Sequence, residues 1–450
     1  TALHKINSQL VSTPEKPPSS HEWKALASIL LAISAACTRI CVGSDALDGF
    51  ISIKPTACLG RWVVATAPAR IDIAGGWSDT PPICFEHGSV VTGMAVLVDG
   101  CAPLACRVRV ATGGTGVLLR SESRTTDGEL ISSNDVEVQK CDDLKGFNSP
   151  TSNCALLKCA LVCLGLLSPD QIYDPTNTDN FGECVRNFFG AECPVRVEII
   201  STSILPHGSG MGTSSILAGC ILAAIAQSRG TPLTLSSLIQ LALQLEQRLT
   251  TGGGFQDQAN GLVGGVKRVS CVSGVVQPVR VDWTILSLAA ETEARLNGCL
   301  HLVYTGQTRL AKNILQQCLH RWSERTHEIC QTVSNLVDTA NASVQALENG
   351  DLNGVGSAVK EYWKQKKIMA GVSSGVEPPL VARVLDSLYK RDLIRCGTLC
   401  GAGGGGFLML LSKDGVKVDT MMNSLKQDGV ETSEFTWHSV RLDPHGLVIQ

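Results

Sequence analysis

Short apolar segments alternate with glycine- and proline-rich breaks over much of the chain, and longer apolar stretches lie between them. Residues 62–110 contain runs of Val, Ile and Ala separated by Gly and Pro, which predicts several strands around a turn at Gly75 and Gly76. The stretch 155–167 is mostly apolar and predicts a buried helix. The same patterns predict a strand at 195–201, helices at 213–228 and 232–250, strand-like structure at 263–281 and a strand at 301–304.

These patterns divide the 450 residues into three predicted regions. Residues 12–20 hold three prolines and three serines before a helix-like apolar stretch at 23–38, so residues 1–60 are interpreted as an extension with a linker and one helix. Two domains are predicted after it because the chain exceeds the usual size of one hydrophobic core. They are residues 61–294 and residues 295–450, the second with a strand, long helices and a final strand near Val448.

The composition narrows the class of protein. The sequence is 44% hydrophobic and 18% charged with a net charge of −3, which is typical of a soluble globular protein and disfavours a nucleic-acid partner. The longest nearly apolar run, residues 25–37, is shorter than the roughly 17 to 25 residues that cross a bilayer, so no membrane span is expected. The 19 cysteines occur in apolar stretches, as at Cys154, Cys159 and Cys163, which favours buried thiols and a cytoplasmic protein.

A glycine-rich loop at residues 205–215 is the first candidate for chemistry. Its three alternating glycines lie between a predicted strand and a predicted helix, and no Gly-Lys dipeptide of the Walker type occurs in the chain. Glycines let backbone N–H groups surround a polyphosphate, and a helix N-terminus adds its own unpaired N–H groups. A plain strand-to-helix turn with a serine cap fits this loop equally well when it is taken alone. The candidate nucleotide-binding residues are Pro206, Gly208, Ser209, Gly210, Met211, Gly212, Thr213, Ser214 and Ser215.

A second glycine cluster at residues 401–406 matches the dinucleotide-binding pattern formally. A strand-like run at 407–411 follows where that pattern requires a helix, so a dinucleotide site is rejected. We interpret the cluster as a loop whose backbone closes over a ligand, with Gly403, Gly404 and Gly405 as candidate substrate contacts; a flexible or bulged turn is the alternative. No second pair with zinc-site spacing accompanies Cys396 and Cys400, so zinc is not expected.

Two carboxylates flank a third glycine run at residues 252–254. Asp257 is the candidate catalytic base that aligns an acceptor hydroxyl and takes its proton during phosphoryl transfer, although a helix cap would also explain it. Glu246 lies eleven positions earlier on a predicted helix. With Ser214 it is a candidate Mg²⁺ site, because one carboxylate and one hydroxyl leave room for waters and phosphate oxygens; an exposed helical glutamate is the alternative.

A strand and turn at residues 67–82 carry a further group of polar side chains and one indole. Arg70 is a candidate for stabilising charge near the transferred phosphoryl group. Asp79 is a candidate for binding sugar hydroxyls, and Trp77 offers a flat apolar surface to a sugar ring. A surface turn with a salt bridge is the alternative.

Together these segments resemble, in the same order, the three motifs of the GHMP kinase superfamily, named for galactokinase, homoserine kinase, mevalonate kinase and phosphomevalonate kinase. Residues 68–80 resemble its first motif, 206–215 its Pro-x-Gly-x-Gly-Leu-Gly-Ser-Ser motif and 401–407 its third motif. The sequence at residues 67–82, together with Gly-Gly-Phe-Gln-Asp-Gln at 253–258, most resembles the fucokinase branch and the related bacterial heptose-phosphate kinases. Galactokinases continue the first motif as Gly-Glu-His-x-Asp, whereas Gly76 and Trp77 follow Gly75 here, which disfavours galactose.

The resemblance implies a two-lobed fold with the site between the lobes. The N-terminal lobe is expected to be an α/β domain of the ribosomal S5 domain 2-like type, and the C-terminal lobe a ferredoxin-like α+β domain. The resemblance also implies that ATP phosphates bind at 208–214, that Mg²⁺ binds Ser214 and Glu246, and that the acceptor hydroxyl meets Asp257.

The function that the resemblance implies is transfer of the γ-phosphoryl group of ATP to the anomeric hydroxyl of L-fucose. A kinase of a heptose phosphate or of galactose is one alternative, and a non-catalytic sugar or nucleotide sensor on the same fold is another. Proteins of this branch often carry a pyrophosphorylase-like region before the kinase part, so this chain is expected to be the kinase portion of a longer protein.

Overall fold

The computed structural model describes residues 55–450 except 175, 177–179, 207, 250–251, 275–278, 308–310 and 372–373. The predicted helix at 23–38 and the predicted extension, apart from residues 55–60, lie outside the described residues.

The described part of the chain mixes strands and helices throughout. Its strands are β1 (Trp62–Ala67), β2 (Ala69–Ala74), β3 (Ser89–Val98), β4 (Leu104–Thr112), β5 (Val117–Arg124), β6 (Leu130–Val138), β7 (Val195–Ser203), β8 (Val266–Cys271), β9 (Asp282–Ile285), β10 (Leu300–Tyr304), β11 (Ile394–Leu399), β12 (Phe407–Ser412), β13 (Thr436–His438), β14 (Val440–Leu442) and β15 (Val448–Ile449). Its α-helices are α1 (Ile83–His87), α2 (Ala155–Cys163), α3 (Pro169–Tyr173), α4 (Phe181–Phe189), α5 (Thr213–Ser228), α6 (Leu235–Arg248), α7 (Gln256–Leu262), α8 (Ala290–Cys299), α9 (Ala311–Glu324), α10 (His327–Glu348), α11 (Leu352–Ala370), α12 (Pro379–Lys390) and α13 (Val418–Gln427).

The strands form three sheets. A six-stranded sheet has the order β15-β1-β4-β7-β5-β6 and is antiparallel except for the parallel pair β5 and β7. A second sheet has the order β14-β3-β8-β9, with β2 also paired to β3. The third, four-stranded sheet has the order β11-β12-β10-β13 and is antiparallel.

Helices cover these sheets and bury their apolar faces. Helix α5 packs on β1 and β4, and nearly all of its residues are buried because helices α2, α6 and α7 surround its other sides. Alternate residues of β4 and β7 face this core, as expected for a sheet with one covered face. On the other side of the molecule, α11 packs against α10, β11 and β2, so a C-terminal helix touches the strand that carries Arg70.

Most predicted elements agree with the structure. Helix α5 has the predicted bounds, and β7 extends the predicted strand at 195–201 by two residues. The predicted helix at 155–167 is shorter, because α2 ends at Cys163. Strands β5 and β6 are not predicted from the sequence. Most residues of β6 are exposed at the sheet edge, so this strand lacks the apolar alternation on which such a prediction depends. The predicted domain boundary at 294/295 falls within α8 and stays a prediction.

Candidate active site

The glycine-rich loop connects β7 to α5 and has an unusual backbone. Gly208, Gly210 and Gly212 have φ angles of +71°, +74° and +71°, in the left-handed region that favours glycine. Left-handed residues at alternate positions turn successive N–H groups toward one side, which makes a concave site for an anion. Gly212 is also the N-cap of α5 and supplies no side-chain hydrogen bond, so the N-terminus of this helix has no side-chain cap there. This geometry suits the predicted phosphate site.

Gly212 brings the loop onto two predicted catalytic side chains. A Cβ atom at position 212 would lie 3.1 Å from Cγ and Nε of Arg70 and 3.1 Å from Cβ of Asp257. Only glycine fits there without displacing one of them. The structure therefore places the predicted phosphate loop beside the predicted base and cation, although the three lie on separate segments.

Arg70 and Asp257 form an ion pair in which one carboxylate oxygen accepts from two guanidinium nitrogens. Nε and Nη2 of Arg70 lie 2.9 and 2.7 Å from Oδ1 of Asp257. Arg70 is 2% exposed, whereas the Asp257 side chain is 28% exposed. The Asp257 carboxylate is thus held by a buried cation and is still partly accessible to solvent. A base that accepts the proton of an entering hydroxyl requires this arrangement.

A second carboxylate, Asp72, holds the other side of Arg70. Nη1 of Arg70 donates to Oδ1 of Asp72 at 2.7 Å, and the Gly401 N–H donates to the same oxygen at 3.1 Å. Oδ2 accepts from the Tyr362 hydroxyl at 2.6 Å and lies 3.3 Å from Nζ of Lys366. Asp72 therefore joins β2, helix α11 and the second glycine cluster at one buried point.

The charges at this point compensate one another. Burial alone would raise the pKa of Asp72, but Lys366 and Arg70 hold it well below the usual range. Burial lowers the pKa of Lys366, and the Asp72 carboxylate opposes that change. A buried carboxylate with two cations and two further hydrogen bonds satisfies the condition under which an interior ion pair is tolerated.

Glu246 lies beside the start of α5, as the magnesium prediction requires, but its hydrogen bond comes from the neighbouring serine. The Ser215 hydroxyl donates to Oε1 of Glu246, whereas Ser214 is exposed. Burial raises the pKa of Glu246 to about 7; the Ser215 hydrogen bond lowers it, and the charges of Asp257 and Asp79 raise it. The role of Ser214 as a metal ligand stays a prediction.

These residues fit a magnesium ion bound together with nucleotide phosphates. Glu246 is a buried acid whose pKa is raised toward neutrality, and a nearby divalent cation would favour its ionised form. No group of three His, Cys, Asp or Glu side chains suited to a metal occurs among the described residues. One carboxylate with hydroxyls is the donor set expected where Mg²⁺ takes its remaining ligands from phosphate and water.

Asp79 and Trp77 are more deeply buried than a direct role in sugar binding suggests. The Asp79 carboxylate is 0% exposed and accepts backbone N–H groups of Trp77 and Gln256, each at 3.0 Å. Burial raises its pKa to about 7, although the Gln256 hydrogen bond lowers it. The Trp77 ring is 3% exposed and belongs to an apolar cluster with Tyr362. Their predicted sugar contacts stay predictions, and their burial favours a role in shaping the turn.

The second glycine cluster is fixed by backbone hydrogen bonds and touches the phosphate loop. Gly404 N–H donates to the Val376 carbonyl at 2.7 Å, and Gly406 N–H donates to the Gln307 carbonyl at 2.8 Å. The Phe407 N–H donates to the Ser209 carbonyl at 2.9 Å, so the two loops are joined directly. Gly404 and Gly405 are buried and Gly403 is half-buried. Contacts of Gly403, Gly404 and Gly405 with a substrate stay a prediction.

Asp72 belongs to the polar group at residues 67–82 but has no separate predicted role, and Tyr362 and Lys366 are not predicted from the sequence. Asp72 follows Arg70 by two positions on a strand, and this spacing puts both side chains on the same face, so a signal for Asp72 was present. Tyr362 and Lys366 share one face of a helix at i and i+4, but nothing local connects them to a strand about 290 positions earlier.

Comparison with known proteins finds similar sequences over the segments that form this site. Residues 180–265, which contain the phosphate loop, Glu246 and Asp257, match the model of the GHMP kinases N terminal domain. The L-fucokinase/L-fucose-1-P guanylyltransferase of Bacteroides fragilis is 33% identical over 372 residues, which are 82% of this chain. The chain belongs to the GHMP kinase superfamily.

Two further relatives define how far the similarity extends. The D-glycero-alpha-D-manno-heptose 7-phosphate kinase of Campylobacter jejuni is 26% identical over 384 residues, covering 83% of this chain and 96% of that protein. The crystal structure of a D-glycero-D-manno-heptose 1-phosphate kinase from Bacteroides thetaiotaomicron superposes with a TM-score of 0.56 at 18% identity, covering 86% of this chain and 98% of that one. This likeness confirms the two-lobed GHMP fold that the sequence predicts.

The chain spans 37% of the length of the Bacteroides fragilis fucokinase protein. Within the described residues, no helix combines the length and the apolar character that crossing a bilayer requires. The described cysteines have free thiols, and Cys154, Cys159 and Cys163 are buried, as predicted.

Proposed function

We propose that this chain is a sugar 1-kinase that transfers the γ-phosphoryl group of ATP to the anomeric hydroxyl of L-fucose and releases fucose 1-phosphate and ADP. The observation that carries the proposal is that the loop at Gly212 passes so close to Arg70 and Asp257 that a Cβ atom there would lie 3.1 Å from both side chains. Phosphoryl transfer needs an anion cradle, a cation and a carboxylate within one small volume, and these three residues supply them.

The proposed reaction uses Asp257 as the base. Its carboxylate accepts the proton of the sugar hydroxyl while the oxygen of that hydroxyl bonds to the γ-phosphorus and the bond to the bridging oxygen of ADP breaks. Arg70 holds the carboxylate through two nitrogen atoms and adds positive charge below the transferred group. The backbone N–H groups of the loop 208–212 and the N-terminus of α5 bind the remaining phosphate oxygens.

Magnesium belongs to the proposal through Glu246. When bound, Mg²⁺ would neutralise charge on the phosphate oxygens. Glu246 would hold the ion, with the Ser214 hydroxyl as the predicted second ligand. Ser215 fixes the Glu246 carboxylate through its hydrogen bond. The cytoplasmic location expected from the free thiols is also part of the proposal.

The choice of L-fucose rests on the fucokinase relative and on the sequence around Trp77. The second candidate is a heptose-phosphate kinase, which the Campylobacter jejuni relative favours because the chain covers 96% of that protein. A non-catalytic sensor is a weaker candidate, because Arg70, Glu246 and Asp257 keep side chains and contacts suited to catalysis.

The test is a comparison of substrates. The purified chain is incubated with ATP and Mg²⁺ and with L-fucose, D-galactose, a heptose 7-phosphate or mevalonate, and ADP release and sugar phosphate are measured. We expect the highest kcat/KM with L-fucose. Preference for a heptose phosphate would establish the second candidate, and binding of ATP and sugar without product would establish the sensor.

A further inference from the structure

A cavity of about 570 Å³ lies in the C-terminal part of the chain, between α11, α12 and the start of β11. Its lining combines three cations with one carboxylate, three neutral polar groups and one apolar side chain: Lys360, Arg395, Lys413, Asp392, Asn353, Ser357, Tyr389 and Ile394. This volume falls in the range of about 300–1,000 Å³ that small-molecule sites occupy. None of the residues assigned above to the phosphate loop or to catalysis lines it.

Arg395 forms a fixed, positively charged floor for the cavity. The pairing of β11 with β12 is irregular between Ile394 and Cys396, and such a bulge re-aims the intervening side chain. The Arg395 side chain is 6% exposed; its Nε donates to Oδ1 of Asn353 at 3.0 Å and its Nη2 pairs with Asp414 at 2.7 Å. A guanidinium held in this way is preorganised and pays little entropy when a ligand binds.

The local charge is positive. Asp414 is shared by Arg395 and Arg295, so one carboxylate faces two guanidinium groups. Lys413 pairs with Asp392 at 3.2 Å. Lys360 is exposed and lies 4.5 Å above the Tyr389 ring, and no ion pair of its ammonium group occurs among the described residues. Three cations, Lys360, Arg395 and Lys413, and one carboxylate, Asp392, therefore line the cavity, and this excess of positive charge attracts an anionic ligand.

The elements that line this cavity continue to the active site. Lys360 and Lys366 are six residues apart on α11, about 9 Å along its axis. β11 begins at the cavity and ends at Leu399, whose carbonyl accepts from Nζ of Lys366 at 3.1 Å. Lys366 in turn contacts Asp72, the carboxylate behind Arg70. A ligand that repositions the start of α11 or β11 therefore acts on the residues that hold the catalytic pair.

We propose that this basic cavity binds a phosphorylated small molecule as an effector, at a site separate from the phosphate loop. Lys360 and Lys413 contact the phosphate oxygens, and Ser357 and Asn353 contact the polar remainder. A phosphate group is the chemistry that a cluster of Arg and Lys with hydroxyl and amide donors recognises. Free phosphate and a nucleotide share this chemistry.

The binding experiment is titration calorimetry on the whole chain, saturated beforehand with L-fucose, Mg²⁺ and an ATP analogue whose γ-phosphoryl group cannot be transferred. The probes are inorganic phosphate, pyrophosphate and a nucleoside diphosphate. We expect at least one probe to bind, with an affinity that falls tenfold or more in Lys360→Glu. Lys364→Glu is the matched control, because Lys364 is 67% exposed on the same helix and does not line the cavity; its affinity is expected to stay within twofold.

Tightest binding of inorganic phosphate would identify the free ion as the ligand, and tightest binding of the nucleoside diphosphate would identify a nucleotide; both support the site. Absence of binding by all three probes, or equal loss in both variants, overturns it. The effector role rests on the proposed kinase activity: the tightest probe is expected to change kcat at least twofold in the wild type and not in Lys360→Glu. An unchanged kcat overturns the effector role. If the wild-type protein shows no kinase turnover, the proposed function is wrong, and calorimetry alone then tests whether the cavity binds a phosphate compound.

Discussion

Two nitrogen atoms of Arg70 lie 2.9 and 2.7 Å from a single oxygen, Oδ1, of Asp257. The pair joins a buried strand to the first turn of α7, across 187 positions of sequence. Because Arg70 is also paired with Asp72, it cannot rotate to follow a displaced Asp257. The position of the proposed base is therefore determined by the buried network rather than by its own helix.

Replacement of this base is the first prediction. Asp257→Asn removes the proton acceptor and keeps the shape of the side chain, so kcat is expected to fall about 10²- to 10⁴-fold. Steady-state kinetics and sugar binding by calorimetry measure the effect. Asp338→Asn, on the exposed face of α10, is the control and is expected to leave kcat unchanged. Turnover near the wild-type value in Asp257→Asn, with sugar still bound, would remove Asp257 from the base role.

The second prediction concerns the contact of Gly212 with the catalytic pair. Gly212→Ala places a methyl group 3.1 Å from Arg70 and Asp257 in a residue with φ of +71°. We expect kcat to fall at least tenfold and stability to fall by about 1–2 kcal/mol, the strain of a left-handed alanine. Gly429→Ala has a similar φ of +67° and open space around its Cβ, so it carries the strain without the contact. Equal loss of activity in both variants would attribute the effect to strain alone.

The hydrogen bond between Tyr362 and Asp72 gives a prediction about stability. Tyr362→Phe removes a buried bond of 2.6 Å to a charged acceptor, so the free energy of unfolding is expected to fall by about 1.5–3 kcal/mol. Urea unfolding measures it. The control is Tyr173→Phe, because Tyr173 is 47% exposed and its hydroxyl bonds Asn148 at 3.2 Å; its effect is expected to stay within about 0.5 kcal/mol. A Tyr362→Phe loss as small as that of the control would contradict the assignment.

Substitutions of Ser215 and of Ser214 are expected to change the pH dependence of turnover differently. The Ser215 hydrogen bond lowers the pKa of Glu246, whose value is about 7. Ser215→Ala is therefore expected to move the acidic limb of the kcat/KM profile to higher pH, by on the order of one unit. Ser214→Ala is expected to leave that limb in place and to raise the KM for magnesium-bound ATP. An unmoved limb in Ser215→Ala would show that ionisation of Glu246 does not limit the reaction.

The raised pKa of Glu246 also predicts how the free energy of unfolding, measured without magnesium, depends on pH. Burial raises its pKa from 4.5 to about 7, so between these values the folded state binds more protons than the unfolded state. Its contribution to stability is present below pH 4.5 and is lost as pH rises through 7. Glu246→Gln removes this contribution, and the difference in unfolding free energy between pH 5.5 and 8.5 is expected to shrink by on the order of 1 kcal/mol.

The control for this measurement is Glu348→Gln, at the exposed end of α10, which is expected to leave the difference between the two pH values unchanged. Asp79, whose pKa burial also raises to about 7, contributes with the same sign and remains in every variant. A pH dependence that is the same in Glu246→Gln and in the wild type would place the proton uptake elsewhere.

Local sequence patterns were enough to predict the features of the candidate site that depend on neighbouring residues. Alternating glycines after an apolar strand predicted the phosphate loop, because left-handed positions and the N-terminus of a helix are local properties of the backbone. Glu246 and Asp257 are predicted site residues because they flank a glycine run. The exposed edge strand β6 was not predicted, because its polar residues show no alternation of apolar and polar positions.

The contacts between side chains that are distant in sequence follow from the packing of the whole chain. Tyr362 and Lys366 reach Asp72 across 290 and 294 positions, and no local pattern encodes a contact between segments that far apart. The same holds for Ser215 rather than Ser214 as the donor to Glu246, because a difference of one residue on a helix rotates the side chain by about 100° and only the packed partner selects between them. The conformation of the backbone over a few residues depends on the local sequence, whereas the partners of buried charges depend on how the whole chain packs.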